Sequence, residues 1–260
     1  MKCILLAAGY ATRLYPLTEN FPKPLLKVGE KTILDWLMDD VKDLVDEFVV
    51  ISNHRFAGRF RAWADGHTLP ITVVDDGTST NETRLGAVKD IQFAVEQLGI
   101  DEDVLVLAGD NVLDFSLAPF VRFAQQNGCS CVMCYEENEL AKQQRTAIIT
   151  VDGEDTITSY EEKPREPRSS LAVPPFYFYR ARDVKRIPEA LEAGCGYDAP
   201  GSFAAWLSAR TPMKAWRMPG SRYDIGNLES YERIRATYRG ISGHTPDKEP
   251  SRNNLHILLV

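Results

Sequence analysis

The stretch KCILLAAGYATRLYPLTENFPKPLL, Lys2–Leu26, decides how the chain is read. Its opening apolar run has the continuous hydrophobic pattern of a strand buried on both faces, as in a parallel sheet. Gly9 breaks that run and starts a turn at the carboxyl edge, where open α/β sheets bind their ligands. Backbone N–H groups in a glycine turn can cradle phosphate oxygens when no side chain blocks the approach. Arg13 adds a planar fork suited to phosphate and Lys23 a mobile point charge. Pro16, Pro22 and Pro24 stiffen a loop that holds these groups without a helix behind it. A Walker A string occurs nowhere in the chain, and of G-x-G-x-x-G only Gly9 is present. The stretch alone therefore indicates phosphate, with incidental loop charge as the competing explanation.

Working outward, strand-like and helix-like runs alternate. TILDWLMDDVKDLV places Ile33, Leu34, Leu37, Val41 and Leu44 at helical spacing behind Thr32 as N-cap. EFVVIS is a second strand and RFAGRFRAWADG a second helix. PITVVDD, GAVKDIQFAVEQLG and DVLVLAGDN continue as strand, helix and strand. From about residue 129 the strands CSCVMCYEE, TAIITVD, TITSYEEKP and LAVPPFYFY follow one another with no clear helix between them. Helices are expected near 183–193, 201–209 and 227–238, with a strand at 212–217. The pattern predicts a three-layer α/β/α fold whose Rossmann-like, mostly parallel sheet carries an antiparallel or mixed extension. Residues 1–240 form the expected domain, with a change of texture near residue 129 dividing it into two halves. Residues 241–260, rich in Gly, Ser and Pro before an apolar LHILLV, read as a tail.

A net charge of −7 argues against broad contact with nucleic acid or anionic lipid. No run approaches the ~18 apolar residues a membrane span needs. The first residues are too short an apolar run for a signal peptide, so a cytoplasmic protein is expected. Of five cysteines, Cys129, Cys131 and Cys134 lack paired C-x2-C spacing and a nearby histidine. They read instead as a strand with Cys129 and Cys131 on one face and Cys134 on the other.

The Lys2–Leu26 stretch resembles the nucleotide-binding loop of the nucleotidyltransferase family that makes nucleotide sugars. The family pattern, approximately L-A-A-G-x-G-T-R-L-x-P-x-T-x-x-x-P-K-x-L, is met here by Leu6, Ala7, Ala8, Gly9, Thr12, Arg13, Leu14, Pro16, Thr18, Pro22, Lys23 and Leu25. Ala11 stands where the pattern has glycine. VLVLAGDNVL resembles the second motif: Asp110 is implied as a Mg²⁺ ligand and Gly109 as a close approach for the ribose. SRYDIGNLESYERI resembles the carboxyl-terminal motif, with Asp224 as the second metal carboxylate and Asn227 as a helix N-cap. SYEEKPREPRSSLAVPPFYFY is similar to the sugar-phosphate segment. Glu162 is implied as acceptor for sugar hydroxyls, Lys163 as partner of the incoming phosphate, and Val173 as pocket lining. Ala147 replaces a glycine near the sugar in thymidylyl members. Leu85 and Gly86 match the region that reads the base. The preceding residues, Thr80 to Arg84, lack the thymidylyl glutamine, so the base is not assigned. The resemblance runs from residue 1 to about 238 and implies a nucleotide-binding half to about 128 and a sugar-phosphate-binding half over about 129–240.

It implies attack by a sugar 1-phosphate oxygen on the α-phosphorus of a nucleoside triphosphate, with Mg²⁺ as cofactor. The enzyme is then a monomer or small homo-oligomer with no nucleic-acid or membrane partner. The attacking phosphate is already an anion, so no general base is needed, and His54, His67, His244 and His256 fall outside every motif. Two alternatives stand beside this: a cytidylyltransferase for phosphocholine or another small phosphorylated alcohol, and a catalytically silent nucleotide-sugar-binding homologue.

Overall fold

The computed structural model describes residues 1–241, so the 241–260 tail falls, from residue 242 onward, outside the described residues. The strands are β1 (Lys2–Leu6), β2 (Lys27–Val28), β3 (Lys31–Thr32), β4 (Glu47–Ser52), β5 (Ile71–Asp75), β6 (Val104–Ala108) and β7 (Asn111–Leu113). They continue as β8 (Ser130–Glu136), β9 (Ala147–Val151), β10 (Ile157–Glu162), β11 (Leu171–Val173), β12 (Phe176–Tyr179), β13 (Met213–Arg217) and β14 (Arg222–Asp224). The helices are α1 (Ile33–Val41), α2 (His54–Ala64), α3 (Ala87–Gln97), α4 (Ala118–Asn127), α5 (Leu140–Gln143), α6 (Ala181–Val184), α7 (Ile187–Glu192), α8 (Gly201–Ser208) and α9 (Leu228–Thr237).

The main sheet runs β10-β9-β11-β8-β12-β6-β1-β4-β5, with β13 alongside β8. β5, β4, β1 and β6 are parallel, and β12 reverses direction against β6. The later strands pair antiparallel except β13, which runs parallel to β8. The mixed extension expected from residue 129 is thus present. Leu6 lies level with Ala108 and Ile51, so the loops after β1 and β6 leave one edge side by side.

Strand alternation sorts the core into two layers. Cys3, Leu5, Phe48 and Leu105 pack against Leu34, Phe60 and Phe120 of α1, α2 and α4. Ile4, Val49 and Val106 pack against Ile91, Ile187 and Phe203 of α3, α7 and α8. The cysteines obey the same rule: Cys129 and Cys131 belong to the first layer and Cys134 to the second. Thr32 caps α1 through a reciprocal capping box with Asp35, and Asn227 caps α9 by accepting from Ser230 N–H at 2.8 Å.

Four details differ from the sequence reading. α1 ends at Val41 rather than near Leu44. α4, closed by Gly128 in the left-handed region, occupies a segment left unassigned above. The single turn α5 interrupts the run of strands. The helix expected over 183–193 is two helices, with Pro188 in the first turn of the second, where proline is well tolerated.

A third cluster bears directly on the cleft. Leu14 and Leu26 from the first loop pack with Val112, Ile225, Tyr231 and Tyr238. Tyr231 and Tyr238 donate to the carbonyls of Lys27 (3.0 Å) and Leu113 (2.6 Å). These contacts pin α9, and with it Asp224 just ahead, against the amino-terminal loop.

Candidate active site

The first loop is built around two short 3-10 turns, Thr12–Leu14 and Lys23–Leu25. Gly109 lets the second turn settle on the end of β6. A Cβ there would lie 3.0 Å from the Leu6 carbonyl and from the Leu34 side chain, and 3.3 Å from Pro24. That approach carries Lys23 to Asp110, where Nζ donates to Oδ2 at 2.9 Å. Lys23 is 8% exposed, so its charge meets a carboxylate with little competition from water. On the other side β14 pairs with β7 in a register that sets Asp224 against Asn111, and Ile225 N–H donates to the Asp110 carbonyl.

Asp224 opens to the cleft yet is densely surrounded by protein atoms. That burial, with the charge of Asp110, raises its carboxyl above the ordinary range, while Lys23, Arg222 and Arg13 pull it down. Two carboxylates whose mutual repulsion is only partly offset are a fitting donor set for a hard divalent cation. Mg²⁺ commonly takes one or two carboxylates and completes its shell with water and substrate phosphate. Among the described residues no cluster of three or more metal-ligating side chains occurs.

Beyond Gly9 a cavity of about 390 Å³ is lined by Leu6, Ala8, Gly9, Thr12, Arg13 and Gly86, together with Asn81, Arg84, Asp90 and Asp198. The Arg13 guanidinium has no hydrogen-bond partner among the described residues. Gly86 opens α3 with φ +91°, and a Cβ there would lie 2.7 Å from the Tyr197 carbonyl. Only glycine fits both the angle and the approach. Arg84 Nε donates to Asp198 at 2.9 Å, tying the segment before α3 to the loop before α8 and holding the Asp198 carboxyl low.

Asp110 and Asp224 line a second cavity of about 1010 Å³, with Tyr135, Arg145, Thr146, Pro174 and Arg222. Thr146 belongs to that lining, whereas Glu162, Lys163 and Val173 line neither cavity and are held beside Thr146 by register. Val173 on β11 and Glu162 on β10 both pair with Ala147 on β9, so the three residues lie abreast. Thr146 Oγ1 donates to the Val173 carbonyl at 3.3 Å, and Lys163 N–H donates to the Thr146 carbonyl at 3.1 Å. Glu162 reaches over the start of α8, where a Cβ on Gly201 would fall 2.2 Å from its Oε2. Burial raises the Glu162 carboxyl while Lys163 opposes the shift.

The structure thus brings together Lys23, Asp110 and Asp224, gathers Leu6, Ala8, Gly9, Thr12, Arg13 and Gly86 around one cavity, and aligns Glu162 with Val173. Ala7 is buried in the core with its N–H bonded to Ile51, and Leu85 does not line the cavity. His54 and His67 pair with Asp75 and Asp35, away from both cavities. Sequence reasoning missed Asp90, Asp198, Thr146 and Arg222. Only Asp90 leaves a signal, a charge one helical turn before Ala94 among the apolar positions of α3. The Arg84–Asp198 pair spans 114 residues without a motif.

Residues 2–240 match the nucleotidyl transferase family model, and the chain belongs to that family. It is 27% identical over 232 residues to the UTP–glucose-1-phosphate uridylyltransferase AglF of Haloferax volcanii, covering 88% of this chain and 93% of that protein. It is 24% identical to a glucose-1-phosphate adenylyltransferase of Fervidobacterium nodosum, covering 88% of this chain and 59% of that one. A UDP-glucose pyrophosphorylase complexed with UDP-glucose superimposes with a TM-score of 0.77 at 19% identity, covering 91% of this chain and 97% of that one. The fold is therefore that of the nucleotide-sugar pyrophosphorylases, and the chain is an enzyme of nucleotidyl transfer.

Proposed function

We propose that this member of the nucleotidyl transferase family joins a nucleoside triphosphate to a sugar 1-phosphate, giving a nucleotide sugar and pyrophosphate. The observation that carries the reading is the meeting of Lys23, Asp110 and Asp224, the two carboxylates lining the larger cavity. An oxygen of the sugar phosphate attacks the α-phosphorus, and the bond from that phosphorus to the bridging oxygen breaks. The electron pair leaves with pyrophosphate. Both reacting groups are anions, so positioning and charge stabilisation are what the protein must supply.

Gly9 and Thr12 offer backbone N–H groups to the triphosphate, and Arg13 offsets charge on the departing pyrophosphate. Lys23 holds Asp110 in place and adds positive charge to the same region. Lys163 meets the incoming phosphate, and Glu162 accepts from sugar hydroxyls beside Val173. Asp110 and Asp224 would hold Mg²⁺, which when bound supplies Lewis-acid stabilisation of the α-phosphate. The abreast placement of Glu162, Ala147 and Val173 supports a polyhydroxylated acceptor over a small phosphorylated alcohol. The test is a screen of the common nucleoside triphosphates against a panel of sugar 1-phosphates and phosphocholine, read by pyrophosphate release with Mg²⁺ present. Release with a sugar 1-phosphate is the expected result. Release with phosphocholine alone, or with no acceptor, would overturn the proposal.

A further inference from the structure

Asp90 lies in the first turn of α3, its backbone N–H bonded to the Gly86 carbonyl at 2.9 Å, and it lines the 390 Å³ cavity. The residue is 6% exposed, and its Oδ1 is sealed from water with no hydrogen-bond partner. Asp76 is 8% exposed nearby. Its Oδ1 accepts from Thr78 N–H (2.7 Å) and Oγ1 (2.8 Å), while its Oδ2 is also unpartnered. Arg84, which lines the same cavity, is committed elsewhere, to Asp198 and to the Asn81 carbonyl at 2.8 Å. Each carboxylate feels the charge of the other or of its neighbours, and burial raises both.

A buried polar oxygen left unpaired is costly, and folded proteins seldom keep one without a partner or a use. The Asp90 carboxylate, for which no hydrogen bond is found among the described residues, lines a cavity whose rim carries Gly9, Thr12 and Arg13, all suited to phosphate. The complementary ligand is therefore anionic at one end and presents N–H donors at the other. Building on the nucleoside-triphosphate reading, we propose that Asp90 reads the base and selects one bearing an exocyclic amino group. Carboxylates pair with such amino groups in nucleic-acid recognition. Guanine fits best, because it sets a ring N–H beside the amino group and so presents two adjacent donors to the carboxylate. Cytosine and adenine offer the amino group alone. Uracil and thymine present one ring N–H flanked by two carbonyl oxygens, which a carboxylate repels.

The test is calorimetric binding of GTP, CTP, ATP, UTP and dTTP, each with Mg²⁺, to the full chain and to Asp90→Asn. The nucleotide alone is titrated, so no acceptor is required. The expected result is that one amino-bearing triphosphate binds at least ~10-fold more tightly than UTP and dTTP, the range of one good base contact. Asp90→Asn should abolish that margin, because its amide can donate to a carbonyl, while circular dichroism matches the wild type. UTP or dTTP binding as tightly as any amino-bearing nucleotide would overturn the inference alone. So would an equal loss for all five in the variant, which marks a merely structural role. Failure of all five to bind would overturn the nucleotide reading itself and the inference with it.

Discussion

Two pairs of aspartates treat charge in opposite ways. Asp110 has Lys23 bonded at 2.9 Å, and Asp224 feels Lys23, Arg222 and Arg13. Among the described residues Asp76 and Asp90 have no cation bonded to them, and each keeps an oxygen without a partner. On the proposed reading, the first pair serves chemistry common to every nucleotide, since all carry the same triphosphate, and the second lies where nucleotides differ. Charge is then compensated where the task is fixed and left open where a particular ligand completes the pairing. The sharpest way to break this contrast is to remove charge from the first pair. Asp110→Asn or Asp224→Asn should lower kcat by about two to three orders of magnitude, the scale seen when one electrostatic stabiliser is lost from a reacting centre. Melting temperature should stay near the wild-type value. Arg13→Ala should act similarly on pyrophosphate release. Near-normal turnover in these variants would remove the metal and phosphate assignment.

The acceptor side offers a milder test of the same contrast. Gly201→Ala places a methyl against Glu162 Oε2 and 3.0 Å from the Tyr160 hydroxyl. The glutamate must swing away from the line it forms with Ala147 and Val173. The expected outcome is a KM for sugar 1-phosphate raised by about 10-fold, as for a lost hydrogen bond to a charged group, with KM for the nucleotide unchanged. An equal rise in both constants would show that the start of α8 supports the whole cleft rather than Glu162 alone.

The contrast also marks what could be read in the sequence. The alternation of buried strands and amphipathic helices was legible because each element carries its own periodicity, as Leu34, Leu37 and Val41 do in α1. Family membership was legible because the first loop sets the residues of the family pattern close together in the chain, from Gly9 to Lys23. Pairing across the sheet was not: nothing in Glu162, Ala147 or Val173 announces that they lie abreast, since register is a tertiary property. Arg84 and Asp198 meet only because α3 and the loop before α8 stack through Gly86. A base-reading role for Asp90, as proposed, was not legible beyond its charge among the apolar positions of α3, because any donor or acceptor at the right place serves and no fixed spacing is required.

The open pair should also reveal itself through pH. Burial first, then the charges of Asp76 and Asp198, push the Asp90 carboxyl up to about 7. The folded chain therefore binds this proton more tightly than the unfolded chain does. Its contribution to stability is fully present below the ordinary carboxylate range, falls as pH rises from about 4, and levels off above about 7. Asp90→Asn removes that dependence. The variant should melt at a higher temperature than the wild type at pH 8, with the difference shrinking at pH 5. Asp76 shifts in the same direction, so it is the difference between the two proteins that isolates Asp90. A gap that grows on acidification would show that Asp90 is paired in solution.

The smallest expected effect lies at the joint between the two regions. Ala11 lines the same cavity as Asp90 and holds φ 47° and ψ 41°, the left-handed region that a Cβ disfavours by roughly 1–2 kcal/mol. Two hydrogen bonds hold it there: its carbonyl accepts from Thr18 Oγ1 at 2.8 Å and from Leu14 N–H at 3.0 Å. Ala11→Gly relieves the steric cost but frees the unfolded chain, which returns ~0.5–1 kcal/mol of the gain. The net should be a rise in melting temperature of about 1–3 °C for a domain of this size. Because the turn already holds its shape through Thr18, kcat should change by less than about twofold. A large fall in kcat with little change in melting temperature would instead mean that the Ala11 methyl itself contacts the nucleotide. It would then act with Asp90 in choosing the base.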